Sequence, residues 1–164
     1  MQCIDCRQQE ANKESGLCDS CETLDEQKIN GLLYLPAAGL IINILCTPYG
    51  CYAFTGAIIN YLRQTGMISG YAIGGVAVML IDAAMTLTAS WYFFRRKKGI
   101  RKVLVAYYLL GVAYMFYFAV IPAWLYGAYF DGNDIRNALF PVIGAAVWIP
   151  YFLYSRRINK VFCR

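Results

Sequence analysis

The stretch ISGYAIGGVAVMLIDAAMTLTASWYFFRRKKGIRK, residues 68–102, decides what kind of protein this is. From Ile68 to Phe94 it carries one charge, Asp82. Four consecutive aromatics, Trp91 to Phe94, then run straight into six bases: Arg95, Arg96, Lys97, Lys98, Arg101 and Lys102. Roughly 20 apolar residues in helical form cross the ~30 Å hydrocarbon core of a bilayer. Aromatic rings gather at the headgroup level and cationic loops stay on the cytoplasmic side. The stretch therefore reads as a transmembrane helix, about 68–94, that emerges at a cytoplasmic face.

Working outward, three more blocks have the same character. The first runs from about 32 to 54, with Pro36 near its entrance and Pro48-Tyr49-Gly50 expected to kink or end it. Another spans about 103–126, with Pro122 near its end, and the last about 135–154, with Pro141 and Pro150. The predicted fold class is an all-α membrane protein with four transmembrane helices. Composition agrees: 59% of residues are apolar and 15% charged, with a mean hydropathy of +0.44, against about 25% charged in soluble domains.

Charge sets an orientation. The tail after the fourth block holds Arg156, Arg157, Lys160 and Arg164. The connection after the first block has only Arg63, and the one before the last has Asp131, Asp134 and Arg136. Both cationic segments belong inside, and four crossings then put the N-terminus inside as well. The expected location is the inner (cytoplasmic) membrane, multi-pass, with both termini cytoplasmic. Trp124 and Tyr126 mark the opposite interface.

Residues 1–30 differ from the rest. They hold seven acids and three bases, a net −4, while the remainder is +9. Such a split predicts two modules, a cytoplasmic head at 1–30 and a transmembrane domain at 31–164, and argues against a nucleic-acid-binding protein. The head has no apolar h-region, so no signal peptide is expected.

Within the head, Cys3-x2-Cys6 and Cys18-x2-Cys21 are separated by 11 residues. Two residues between thiolates let one tight turn aim both sulfurs, and two such turns complete a tetrahedral all-sulfur site for Zn2+. A thiolate-bound iron is the chemical alternative. Paired disulfides conflict with a reducing cytoplasmic location, and thirty residues cannot build a thioredoxin-like redox scaffold. With four cysteine ligands and no open position, the expected Zn2+ is structural, and it would supply much of the head's folding free energy. Cys46, Cys51 and Cys163 read as plain thiols, with acylation conceivable at Cys163.

Asp82 lies mid-helix, where an ionised carboxylate costs roughly 2.5–3.5 kcal/mol on insertion scales. It should face the bundle interior or carry a proton. Thr86, four residues on, shares its face, and Asn43 in the first helix is a candidate polar partner. Asp82, Asn43 and Thr86 thus form a candidate intramembrane polar site, either for a proton, ion or ligand or as a helix–helix hydrogen bond. Gly70, Gly74 and Gly75 allow close packing nearby. The chain contains no His and no nucleophile elbow, phosphate loop or paired catalytic carboxylates, so no enzyme activity is expected.

Gly31-Leu32-Leu33-Tyr34-Leu35-Pro36-Ala37-Ala38-Gly39-Leu40 resembles the opening of the first helix in the DUF2569 family of bacterial four-helix membrane proteins. Val147-Trp148-Ile149-Pro150-Tyr151-Phe152, leading to Ser155-Arg156-Arg157-Ile158-Asn159-Lys160-Val161-Phe162, is similar to that family's closing signature. The resemblance implies the four-helix architecture from Gly31 to Phe162 and defines no catalytic residues. The cysteine head looks like an accessory carried by some members.

The functional expectation is a binding, regulatory or adaptor membrane protein. Its acidic head would meet a protein partner or its own basic surface, formed by Arg95, Arg96, Lys97, Lys98, Arg101, Lys102, Arg156, Arg157 and Lys160. The same bases face anionic lipids. The alternative is a small homo-oligomeric transporter or channel subunit that uses Asp82.

Overall fold

In the computed structural model, helices long and apolar enough to cross a membrane occupy Gly31–Thr65, Gly70–Phe94, Ile100–Leu125 and Ile135–Tyr154. The structure describes residues 2–10, 12, 15–21, 31–127, 132–155, 158 and 161–162, the side chains of 126, 133 and 134 excepted. A 3-10 turn at Gly31–Leu33 leads into α1 (Tyr34–Thr65), followed by α2 (Gly70–Phe94) and α3 (Ile100–Met115). A π-helical turn, Phe116–Val120, then joins α3 to the short α4 (Ile121–Tyr126), and α5 covers Gly132–Tyr154. The expected boundary between modules, at residue 30, lies outside the described residues.

The first helix does not stop near residue 54. It contains Pro48 and continues to Thr65, 32 residues in all, or about 48 Å at 1.5 Å per residue. Pro48 lies about 21 Å along the helix, short of the ~30 Å hydrocarbon core, so the solvent carries the helix past it. Ending a helix strands its last carbonyls, and hydrocarbon offers them no partner. Proline removes only one donor, which leaves the Ile44 carbonyl four residues back without its helical partner. Thr47 and Thr55 each donate to the carbonyl four residues back, at 2.7 Å. Termination waits for Gly66, whose left-handed φ of 69° lets its N–H reach the Leu62 carbonyl at 2.8 Å. Arg63 therefore belongs to α1, and the first connection is only residues 66–69.

Other boundaries shift less. Ser69 caps α2 by accepting from the Ala72 N–H at 3.1 Å. The third span begins at Ile100, not 103, because Gly99 at φ 89° reverses the chain. Arg101 and Lys102 thus sit in the first turn of α3, where the helix dipole disfavours cations. Arg101 is tied down there by donating from Nη2 to the Ser155 carbonyl at 2.7 Å. Further along, Pro122 lacks an N–H and crowds the carbonyl four residues back, and the preceding turn widens into the π form.

α3 packs against α2 on one side and α5 on the other, while α1 packs on α2. At the basic-turn end the spans close over a fully buried cluster of Leu33, Leu40, Ala89, Phe93, Ile100, Leu104 and Phe152. Ile158, Val161 and Phe162, beyond α5, fold back into it, with the Phe162 ring 5.3 Å from Phe93. Toward the other end, Gly74 and Gly75 leave no room for a side chain: Tyr117 presses on the first and Phe54 on the second. That close approach lets Tyr117 donate to the Tyr71 carbonyl at 2.7 Å and stack on its ring.

Candidate functional site

The cysteine head folds around its sulfurs. The chain turns after Cys6, where Arg7 takes a left-handed φ of 54°, and the Arg7 N–H closes back on the Cys3 carbonyl at 3.0 Å. Gly16, at φ 68°, donates to Asn12 and accepts from Ile4, which brings the second pair alongside the first. The Cys18 N–H points at the Cys3 sulfur, 3.2 Å away. A metal–sulfur bond of ~2.3 Å would set tetrahedral sulfurs ~3.8 Å apart. The Cys6 and Cys18 sulfurs lie 3.6 Å apart, and all four are within 4.8 Å of one another. Cys3, Cys6, Cys18 and Cys21 are free thiols, three of them buried. They are close enough to hold one metal ion.

Electrostatics in the cluster point the same way. The Cys6 backbone N–H, helped by that of Cys18, holds the Cys3 thiol down to about 6. Cys18 is lowered chiefly by the Ser20 hydroxyl, which lies 3.2 Å from its sulfur. Cys21 is pushed up to about 12, first by its hydrogen bond to Cys18 and then by burial. One sulfur holds charge while its neighbour keeps a proton. A cation among the sulfurs favours the thiolate form, that of Cys21 included.

The polar residues of the spans converge elsewhere. Asn43, on α1, donates both amide hydrogens, one to the Thr86 hydroxyl of α2 and one to the Tyr107 hydroxyl of α3, each at 3.0 Å. Asp82 does not join this network. Its carboxyl has no hydrogen-bonding side chain among the described residues and instead lines a cavity of about 370 Å³. Asn43, Cys46, Thr47 and Gly50 wall that cavity from α1, Met79 from α2, and Tyr107, Tyr108, Gly111 and Tyr114 from α3. Phe140, Pro141 and Gly144 of α5 complete it. So Asp82 and Asn43 share the cavity wall, while Thr86 is buried behind it as Asn43's partner.

The basic turn keeps its charges near aromatic faces. The Arg95 guanidinium lies 4.1 Å above the Trp91 ring, and the Lys97 ammonium lies 5.3 Å from Trp91 and 5.5 Å from Tyr92. Arg96, Lys98 and Lys102 complete the patch with Arg101. Arg156, Arg157 and Lys160, expected to extend it, lie outside the described residues, as do Asp131 and Cys163.

Compared with known proteins, residues 26–163 match the family model described as "Protein of unknown function (DUF2569)". The chain belongs to the DUF2569 family. Inner membrane protein YdgK of Escherichia coli (strain K12) is 26% identical over 148 residues, a match covering 85% of this chain and 97% of YdgK. No solved structure matches. In this DUF2569 member the cavity lies wholly within the matched region, whereas the four cysteines precede it.

The tyrosines of the cavity belong to no sequence motif, and fourteen residues of this type are spread through the chain. A signal was present, however. Tyr107, Gly111 and Tyr114 recur at the helical spacing of one face, opposite the helix that bears Asp82.

Proposed function

We propose that this protein is a binding or adaptor protein of the inner membrane, with a structural Zn2+ holding its N-terminal head. The single observation that carries this reading is the convergence of four free thiols within 4.8 Å. An all-sulfur tetrahedral set suits Zn2+ and leaves no open position for catalysis. In this reading both termini are cytoplasmic, because the basic turn and tail follow the positive-inside pattern, and the inner-membrane description of YdgK supports the location.

With four thiolates and one Zn2+, the head's charge goes from −4 to −6. That charge suits either a basic protein partner or the chain's own Arg95–Lys102 turn. The bases of that turn otherwise meet anionic lipid, at about 1 kcal/mol each. The test is to remove residues 1–28 and compare metal content, membrane integration and co-purified partners with the full chain. Metal lost with unchanged integration and fewer partners supports the adaptor role. An unchanged partner set rejects it.

A second reading, a small oligomeric transporter or channel subunit, is favoured by Asp82 facing a cavity rather than a neighbouring side chain. Asp82→Asn should then abolish ion-dependent flux in proteoliposomes, and intact flux removes this reading.

A further inference from the structure

The wall of the intramembrane cavity is rich in acceptors and π-faces and poor in positive charge. Both amide hydrogens of Asn43 are already given to Thr86 and Tyr107, so this side chain can offer only its oxygen. The Thr47 hydroxyl hydrogen goes to the Asn43 carbonyl. No Lys or Arg lines the cavity among the described residues. What remains to face Asp82 is tyrosine hydroxyls, a thiol and a thioether, all neutral, so none balances a carboxylate's charge. Tyr107, Tyr108 and Tyr114 come from one helix and Phe140 from another, placing ring surface on two sides of the space.

A volume of about 370 Å³ falls in the range of small-molecule sites, roughly 300–1,000 Å³. A proton alone would neutralise Asp82 but make no use of the aromatic walls. A hard metal ion takes six or more oxygens, carboxylates among them for charge, and the wall offers one carboxylate beside neutral hydroxyls and an amide. An organic cation answers both demands, because its charge pairs with the carboxylate and its alkyl groups lie on aromatic faces, where cation–π attraction is strongest without water.

We propose that this cavity binds a monovalent organic cation, an alkylammonium of small to moderate size, with its nitrogen against Asp82 and its substituents against Tyr107, Tyr114 and Phe140. The proposal requires neither metal in the head nor flux through the bundle.

The experiment is equilibrium dialysis of the purified full chain in non-ionic maltoside micelles with radiolabelled tetraethylammonium and benzyltrimethylammonium. Neopentylbenzene, the uncharged isostere of the second probe, and potassium ion serve as competitors. Saturable binding of a labelled cation is expected, weakened at least about tenfold by Asp82→Asn and largely restored in Asp82→Glu. Tyr114→Leu should weaken it several-fold, and neither competitor should displace it. Thermal unfolding checks that each variant is folded; should Asp82→Asn not fold, Asp82→Glu and Tyr114→Leu carry the comparison. Absence of saturable binding, equal binding by the charge-free or ring-free variant, or displacement by the uncharged isostere overturns the proposal.

Discussion

The Asn43 amide donates to the Thr86 hydroxyl at 3.0 Å and so ties the first spanning helix to the second, one turn from Asp82. The same amide reaches Tyr107 on α3, which makes one side chain the polar clamp of three helices. Hydrogen bonds within a bilayer average about 0.6 kcal/mol and reach about 1.7. Asn43→Leu should therefore destabilise the bundle by about 1–3 kcal/mol, measured by unfolding in mixed micelles. A double-mutant cycle with Thr86→Val should show coupling, and strictly additive losses would mean the pair contributes nothing.

Gly74 faces Tyr117 so closely that a β-carbon would collide with its hydroxyl. Gly74→Ala should cost about 1–3 kcal/mol through overpacking. Tyr117→Phe removes the colliding oxygen and should recover part of that loss in the double variant, even though it forfeits the bond to Tyr71. An additive double variant would place the strain elsewhere.

Phe162 seals the basic-turn end of the bundle against Phe93. Emptying a buried phenylalanine site costs about 3–5 kcal/mol in well-packed cores. Phe162→Ala should loosen this end first, seen as faster hydrogen exchange around Phe93 and Leu104, with the cavity end unaffected. Uniform exchange rates along all spans would show that the tail does not act as a local seal.

In the head, metal and protons compete for the same sulfurs. Cys3, at about 6, is largely ionised at neutral pH, whereas Cys21, at about 12, must give up a proton when metal binds. Zn2+ loading should accordingly release protons, and affinity should fall as pH is lowered from 8 toward 6 (roughly, the range over which thiolates are titrated away). Competition with a chromophoric chelator measures this, and Cys18→Ser should abolish tight binding at every pH. An affinity independent of pH would argue against thiolate ligation.

The four spans were legible because a bilayer imposes a length and a polarity on every helix that crosses it, and both are written locally in residues 68–94 and their counterparts. The cysteine spacing was legible for a similar reason, since two-residue gaps restrict where the sulfurs can point. The end of α1 was not: Pro48 is a local stop signal that hydrocarbon overrules. Nor was the role of Tyr107 and Tyr114, whose residue type is common in this chain and whose meaning depends on what lies across from them.

By itself, then, the sequence determined the class of the protein, the number of spans and the set of thiols, all properties carried by near neighbours along the chain. Only the tertiary structure decided that Asn43 spends its donors on Thr86 and Tyr107 and leaves Asp82 to face a cavity. That outcome turns on which helix faces meet. Helix registry is set by close packing at positions such as Gly74, by the π turn ahead of Pro122 and by the folded-back Phe162. These are contacts between residues far apart in the chain, and hydropathy alone does not encode them.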